Sequence, residues 1–183
     1  VLAGCSTENL TETEPSLEVL ELIQSESQLV STDELSEDTF IATIQNTGVS
    51  GSIAVALFWQ TSNSGEKPEV ISNLVAEGYP RERVKENFFN SGERRTVEFI
   101  ATPPESAIGY YFLTQPATYG ANIQNTGSGG RATVTMTFND SSINIENTKE
   151  QTVYIDSNST EEVLFNATLY PDTDWEISVE PED

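Results

Sequence analysis

One stretch occurs twice and constrains the fold more than any other feature: Ala42-Thr43-Ile44-Gln45-Asn46-Thr47-Gly48 and Ala121-Asn122-Ile123-Gln124-Asn125-Thr126-Gly127. Apolar residues alternate with others ahead of each Asn-Thr-Gly, as Phe40, Ala42 and Ile44 in the first copy and Tyr119, Ala121 and Ile123 in the second. The alternation resumes beyond the turn, as Ile53, Val55, Leu57 and Trp59 and then as Ala132, Val134, Met136 and Phe138. A period of two on both sides of a turn predicts antiparallel strand pairs that each bury one face.

The order of segments is also duplicated. Residues 97–102 (Val-Glu-Phe-Ile-Ala-Thr) are matched by residues 163–168 (Val-Leu-Phe-Asn-Ala-Thr), and Tyr111 and Leu113 by Ile177 and Val179. Ala42 and Ala121 lie 79 positions apart but Val97 and Val163 only 66, so the first unit carries 13 extra residues. They are expected at or near 61–80, where the period breaks around Val70, Ile71, Leu74 and Val75 and a short helix fits. A surface excursion on a shared framework accounts for this. Residues 17–23 read as the leading strand of the first unit and residues 25–38, rich in Ser, Glu, Asp and Gln, as a loop. The expected organisation is a tether over 1–15, a first domain over 16–114 with its insertion, and a second over 115–183. Which domain owns residues 108–116 stays open.

Pro, Gly, Thr, Asn and Val suit short strands and turns, and helical periodicity is nearly absent, so the chain reads as all-β. Thirty acidic against eight basic residues leave a net charge of −22, which repels nucleic acid and excludes it as a partner class. The acids are spread along the chain among Ser and Thr, which resembles the surface of haloarchaeal-type, salt-adapted proteins. Eight Phe, six Tyr and two Trp, many at period two, argue for a core and against an acidic disordered region.

The single cysteine, Cys5, allows neither an intramolecular disulfide nor a Cys-based metal site. Leu2-Ala3-Gly4-Cys5 resembles the lipobox of bacterial and haloarchaeal lipoproteins. The resemblance implies that residues 1–4 are the stump of a signal segment and that Cys5 takes a lipid. The polar run that follows, residues 6–15, has the composition of an extended tether. No apolar run approaches the roughly 20 residues of a membrane-spanning helix.

A strand ending in Asn-Thr-Gly, a second strand, and later Ser91-Gly92-Glu93 feeding Thr96-Val97-Glu98-Phe99 resemble the CARDB and related immunoglobulin-like repeats of prokaryotic surface proteins. The resemblance covers about 60 residues of the first unit and, more loosely, a similar length of the second, where Asn158-Ser159-Thr160 stands in place of the Gly-containing turn. It implies two tandem immunoglobulin-like β-sandwich domains with adhesive, spacer or assembly roles.

Without histidine, neither a Ser-His-Asp nor a Cys-His set can be built, and no enzyme activity, cofactor or metal is expected. Asp172, Asp174 and Glu176 alternate around Trp175 but lack the spacing of a calcium loop. Gly127-Ser128-Gly129-Gly130 lacks the Lys-Ser/Thr of a phosphate loop. Trp59 and Trp175 read as core anchors. Asn9, Asn139, Asn158 and Asn166 head Asn-x-Ser/Thr sequons and are candidate N-glycosylation sites.

The function expected is a non-enzymatic cell-surface lipoprotein, extracellular and lipid-anchored, that acts as a structural or adhesion module toward protein partners. The alternative is a subunit of a pilus-like extracellular filament, a homopolymer in which Leu17, Val19, Leu20, Leu22 and Ile23 act as a donor strand completing a neighbour. A hydrolase or solute-binding lipoprotein lacks a catalytic set. Because 22 unbalanced charges must be screened before the sheets close, thermal melts should give a clearly higher midpoint in molar KCl than in dilute buffer. Equal midpoints would contradict the salt-adapted reading.

Overall fold

The computed structural model of the chain describes residues 14–36, 38–61, 84–140, 145–169 and 173–182. These residues are all-β, with no helix among them. The strands are β1 (Leu17–Gln24), β2 (Ser27–Ser36), β3 (Thr39–Asn46), β4 (Gly51–Thr61), β5 (Val84–Phe89), β6 (Arg94–Ile100), β7 (Ala107–Pro116), β8 (Thr118–Asn125), β9 (Gly130–Asp140), β10 (Ile145–Ile155), β11 (Ser159–Asn166) and β12 (Trp175–Pro181). They form four three-stranded antiparallel sheets, ordered β2-β3-β6, β5-β4-β7, β1-β8-β11 and β10-β9-β12.

The strands of the two sequence copies take the central places. Phe40, Ala42 and Ile44 of β3 share one core with Ile53, Val55, Leu57 and Trp59 of β4, and with Phe89, Val97, Phe99 and Phe112. Phe40 meets Trp59 and Tyr110 edge-on, with ring centroids 4.9 and 4.8 Å away, the offset geometry that ring quadrupoles favour. Tyr119, Ala121 and Ile123 of β8 share a second core with Ala132, Val134 and Met136 of β9, joined by Ile155, Val163, Phe165, Leu169 and Ile177. Trp175 and Phe138 are half-buried against it. Two sheets enclosing each core is packing consistent with a β-sandwich. We refer to the first pair of sheets as unit A and the second as unit B.

The leading strands depart from expectation. Residues 17–23, expected to open the first unit, lie in β1, which runs antiparallel to β8 of unit B, from Leu17 opposite Asn125 to Gln24 opposite Tyr119. The place expected for that strand in unit A is taken by β2, from Ser27 opposite Asn46, in a segment expected to be a loop. The cause is physical. β2 is a sheet edge, and its Gln28, Ser31, Thr32, Asp33 and Glu34 are exposed. Polar and charged residues guard edges against further pairing, and that composition imitates a loop.

β1 and β2 are counterparts, ten residues apart. Each slips register at the same point, between Val19 and Glu21 in β1 and between Leu29 and Ser31 in β2. Unit B is therefore discontinuous: its first strand precedes unit A and its other five follow. The strand at 108–113 lies within β7, which pairs with β4 and belongs to unit A. Its match to β12 is displaced by one residue, because Phe112, not Tyr111, faces the core as Ile177 does. Tyr111 and Leu113 lie against Ala54, Ala56 and Phe58, a second apolar cluster that leaves β4 buried on both faces. Beyond Thr61, the expected insertion near 61–80 lies outside the described residues, as do Cys5 and Asn9.

Tyr119 is buried at the start of β8, edge-on to Trp175 at 5.2 Å, and its hydroxyl donates to the Pro116 carbonyl at 3.3 Å. Burial pushes its phenol up to about 12. An unfolded tyrosine ionises near about 10. The stabilisation is thus complete below about pH 10 and is lost as pH rises toward about 12, since only the unfolded chain releases the proton there. The melting midpoint should fall across that window, and fall less in Tyr119→Phe; equal slopes would refute the assignment.

Candidate functional site

Each Asn-Thr-Gly copy is built around a fully buried asparagine that fastens the leading strand. In unit A the Asn46 Oδ1 accepts from the backbone N–H of Gly48 at 3.0 Å and of Glu26 at 3.2 Å. Its Nδ2 donates to the carbonyls of Val49 (2.8 Å), Asn90 (3.3 Å) and Phe89 (3.4 Å). In unit B the Asn125 Oδ1 accepts from Gly127 at 3.0 Å and Ser16 at 3.1 Å, and its Nδ2 donates to Ser128 at 2.6 Å and Ile155 at 3.1 Å. Backbone bonds repeat the pattern, from Thr47 N–H to the Glu26 carbonyl and from Thr126 N–H to the Ser16 carbonyl.

One amide thus ties the turn, the end of a strand in the facing sheet and the approach to the leading strand. The glycine two positions on is set by the same approach. A Cβ at Gly48 would collide with the Gln24 carbonyl and the Glu26 nitrogen, and one at Gly127 with the Glu14 carbonyl and the Ser16 nitrogen.

The two units meet at a joint made of two connectors. β1 passes into β2 through Ser25 and Glu26 alone, and β7 into β8 through Ala117 alone. Ser25 is fully buried; its N–H donates to the Thr118 carbonyl at 2.9 Å and its hydroxyl to the Ser52 carbonyl at 2.8 Å. The Ser52 N–H donates to Thr118 Oγ1 at 2.8 Å, and the Ala117 N–H to the Ser52 carbonyl at 3.0 Å. The Thr118 hydroxyl donates to Asn166 Oδ1 at 3.1 Å. A single connector would act as a hinge. Two connectors bonded to each other and to both units resist bending and twisting.

Residues 17–36 therefore form a nearly unbroken line of strand through both units, roughly 65 Å of chain at about 3.3 Å per residue. Its direction fixes the ends. One pole holds Ser16 and Asn125, and Glu182 bonds there to Arg131. The opposite pole holds Ser36, Thr39, Ile100 and the end of β4 at Thr61, which lies opposite Ala107 of β7.

The expected donor-strand residues all lie in β1. Leu17 and Val19 pack against the core of unit B, Ile23 is buried, and Leu20 and Leu22 stay about half exposed at the sheet edge. Asn139, Asn158 and Asn166 are all exposed on unit B. Asp174 and Glu176 line a cleft of about 260 Å³ with Thr137, Phe138, Asn139, Glu146 and Trp175. Among the described residues no cluster of carboxylate, His or Cys side chains is arranged to hold a metal ion. No family model and no curated protein matches the chain.

The repeat signals the turn, but nothing near it in the sequence points to Glu26 or Ser16 as the groups its asparagine holds. Replacing Asn46 or Asn125 by alanine strands several buried backbone groups at once, at a cost of about 3 kcal/mol. Both variants should melt lower. Hydrogen exchange should show β2 opening selectively in Asn46→Ala and β1 in Asn125→Ala; unselective loss would refute the pinning role.

Proposed function

We propose that this chain is a non-enzymatic, extracellular cell-surface lipoprotein of haloarchaeal type. It serves as a structural or adhesion module, built from two immunoglobulin-like sandwiches of the CARDB kind and anchored through Cys5. The observation that carries the reading is the bonded joint with one strand line through both units. Such a chain is a stiff spacer. The tether precedes β1 in the sequence, and β1 leads through Ser25 and Glu26 into unit A. Tension between the anchor and unit A follows that one backbone, while unit B grips it sideways through β8 as a splint.

The filament reading draws on the same strand, since β1 completes unit B by strand addition, the contact through which donor-strand subunits assemble. For β1 of another copy to take that place, the other copy's unit A would have to sit at the joint. That position is held by the chain's own unit A, tied there by the one-residue link Ala117. This crowding favours the self-contained spacer.

Sedimentation in molar KCl should give a monomer, and the intact mass of the native protein should show lipid on Cys5. Polymers would favour the filament. A protein still carrying residues 1–4 and a bare thiol would remove the anchor from the proposal.

A further inference from the structure

We propose that Asn139, Asn158 and Asn166 are N-glycan acceptors that sheath unit B and leave unit A bare; this rests on the extracellular reading above. The three asparagines head Asn139-Asp140-Ser141, Asn158-Ser159-Thr160 and Asn166-Ala167-Thr168. All three are exposed, and so are Thr160 and Thr168, the hydroxyl residues two positions on. Of the described asparagines that head no sequon, Asn46 and Asn125 are buried, Asn87, Asn122 and Asn147 are half-buried, and Asn90 is exposed.

The duplication supplies an internal control. By the offset of 79, Asn139 corresponds to Gln60 in unit A. By the offset of 66, Asn158 corresponds to Gly92 and Asn166 to Ile100; the register agrees, since Asn166 lies opposite Thr118 as Ile100 lies opposite Thr39. The same framework thus accepts Gln, Gly and Ile at these places and does not itself demand asparagine. The turn is the exception: Gly92 has φ +75° and Asn158 φ +55°, a left-handed conformation that glycine takes most freely and that asparagine takes more readily than other side chains, so the turn accounts for the asparagine there. Unit B holds an asparagine there, with Thr160 completing the sequon.

The placement is one-sided. Asn158 sits in the β10–β11 turn at the tether pole, and Asn139 and Asn166 near the ends of their strands toward the joint. Asn166 is held by its oxygen, which accepts from Thr118, so its Nδ2 is the end of the amide presented for reaction. Residues 27–116 contain no Asn-x-Ser/Thr sequence. The pole of unit A keeps Ile100 and Ile108, 74% and 67% exposed, clear of any glycan of its own.

The donor required is a lipid-phosphate-linked oligosaccharide. Asn Nδ2 attacks its anomeric carbon, the C–N bond forms as the bond from that carbon to phosphate oxygen breaks, the lipid phosphate departs, and the amide proton passes to a base of the transferase. No oxidation state changes.

The test is glycopeptide mapping of the protein purified from its own organism, beside Asn139→Gln, Thr160→Ala and Thr168→Ala, which keep exposed positions exposed. Each variant should lose one oligosaccharide mass and keep its melting profile. Lipid on Cys5 and protease accessibility on intact cells are read from the same samples. Surface-located protein with all three asparagines bare overturns the glycan proposal while leaving the extracellular reading intact; a single bare asparagine removes that residue from it. Protein confined to the cytosol without lipid overturns both.

Discussion

The arrangement depends on two buried primary amides. Asn46 and Asn125 have no exposed surface, and each satisfies at least four backbone groups drawn from three separated pieces of chain. A buried amide left without partners is costly, and the same is true of the N–H and C=O groups it serves. The turn, the end of β5 or β10, and the entry to the leading strand therefore form together or leave several groups unsatisfied together. This makes the leading strand part of each unit, although β1 and β2 contribute few side chains to either core.

That dependence has a consequence for folding. The six strands of unit A are contiguous from Ser27 to Pro116, so unit A can close as soon as they exist. β1 has to wait for β8, which lies about a hundred residues further on, and contacts of such separation form late because loop closure precedes their reward. Once unit A is closed, its joint holds the end of β1 at Ser25 beside the start of β8 at Thr118. The late contact is therefore made between ends already brought together.

The charge has a structural place as well as a total. Asp33 and Glu34 on β2, Glu161 and Glu162 on β11, and Glu176 and Glu180 on β12 are exposed on strands at sheet edges. Among the described residues four three-stranded sheets present eight such edges, each able to template pairing with another chain, and like charges along them oppose it. The same charges act inward where a polar tip reaches the rim: burial first, then Glu34 and Asp33, raises the Tyr110 phenol. Of the few cations, Arg95 pairs with Glu93 at 3.1 Å and lies 4.7 Å from the centre of the Phe89 ring.

What the sequence determined by itself was the inward face of the duplicated strands, which depends only on near neighbours along the chain. Period two placed Phe40, Ala42 and Ile44, their partners on β4, and both sets of the second copy on the inward face, because successive strand residues point to opposite sides. The same alternation placed Asn166 outward, between Phe165 and Ala167. The tertiary structure alone decided which sheet received each leading strand. β1 is apolar enough to serve either unit, and β2 is polar enough to pass for a loop, so neither composition nor period distinguishes them. The choice rests on what lies opposite: Asn125 and its glycine hold Ser16, and Asn46 and its glycine hold Glu26, through backbone groups that every sequence possesses and none advertises.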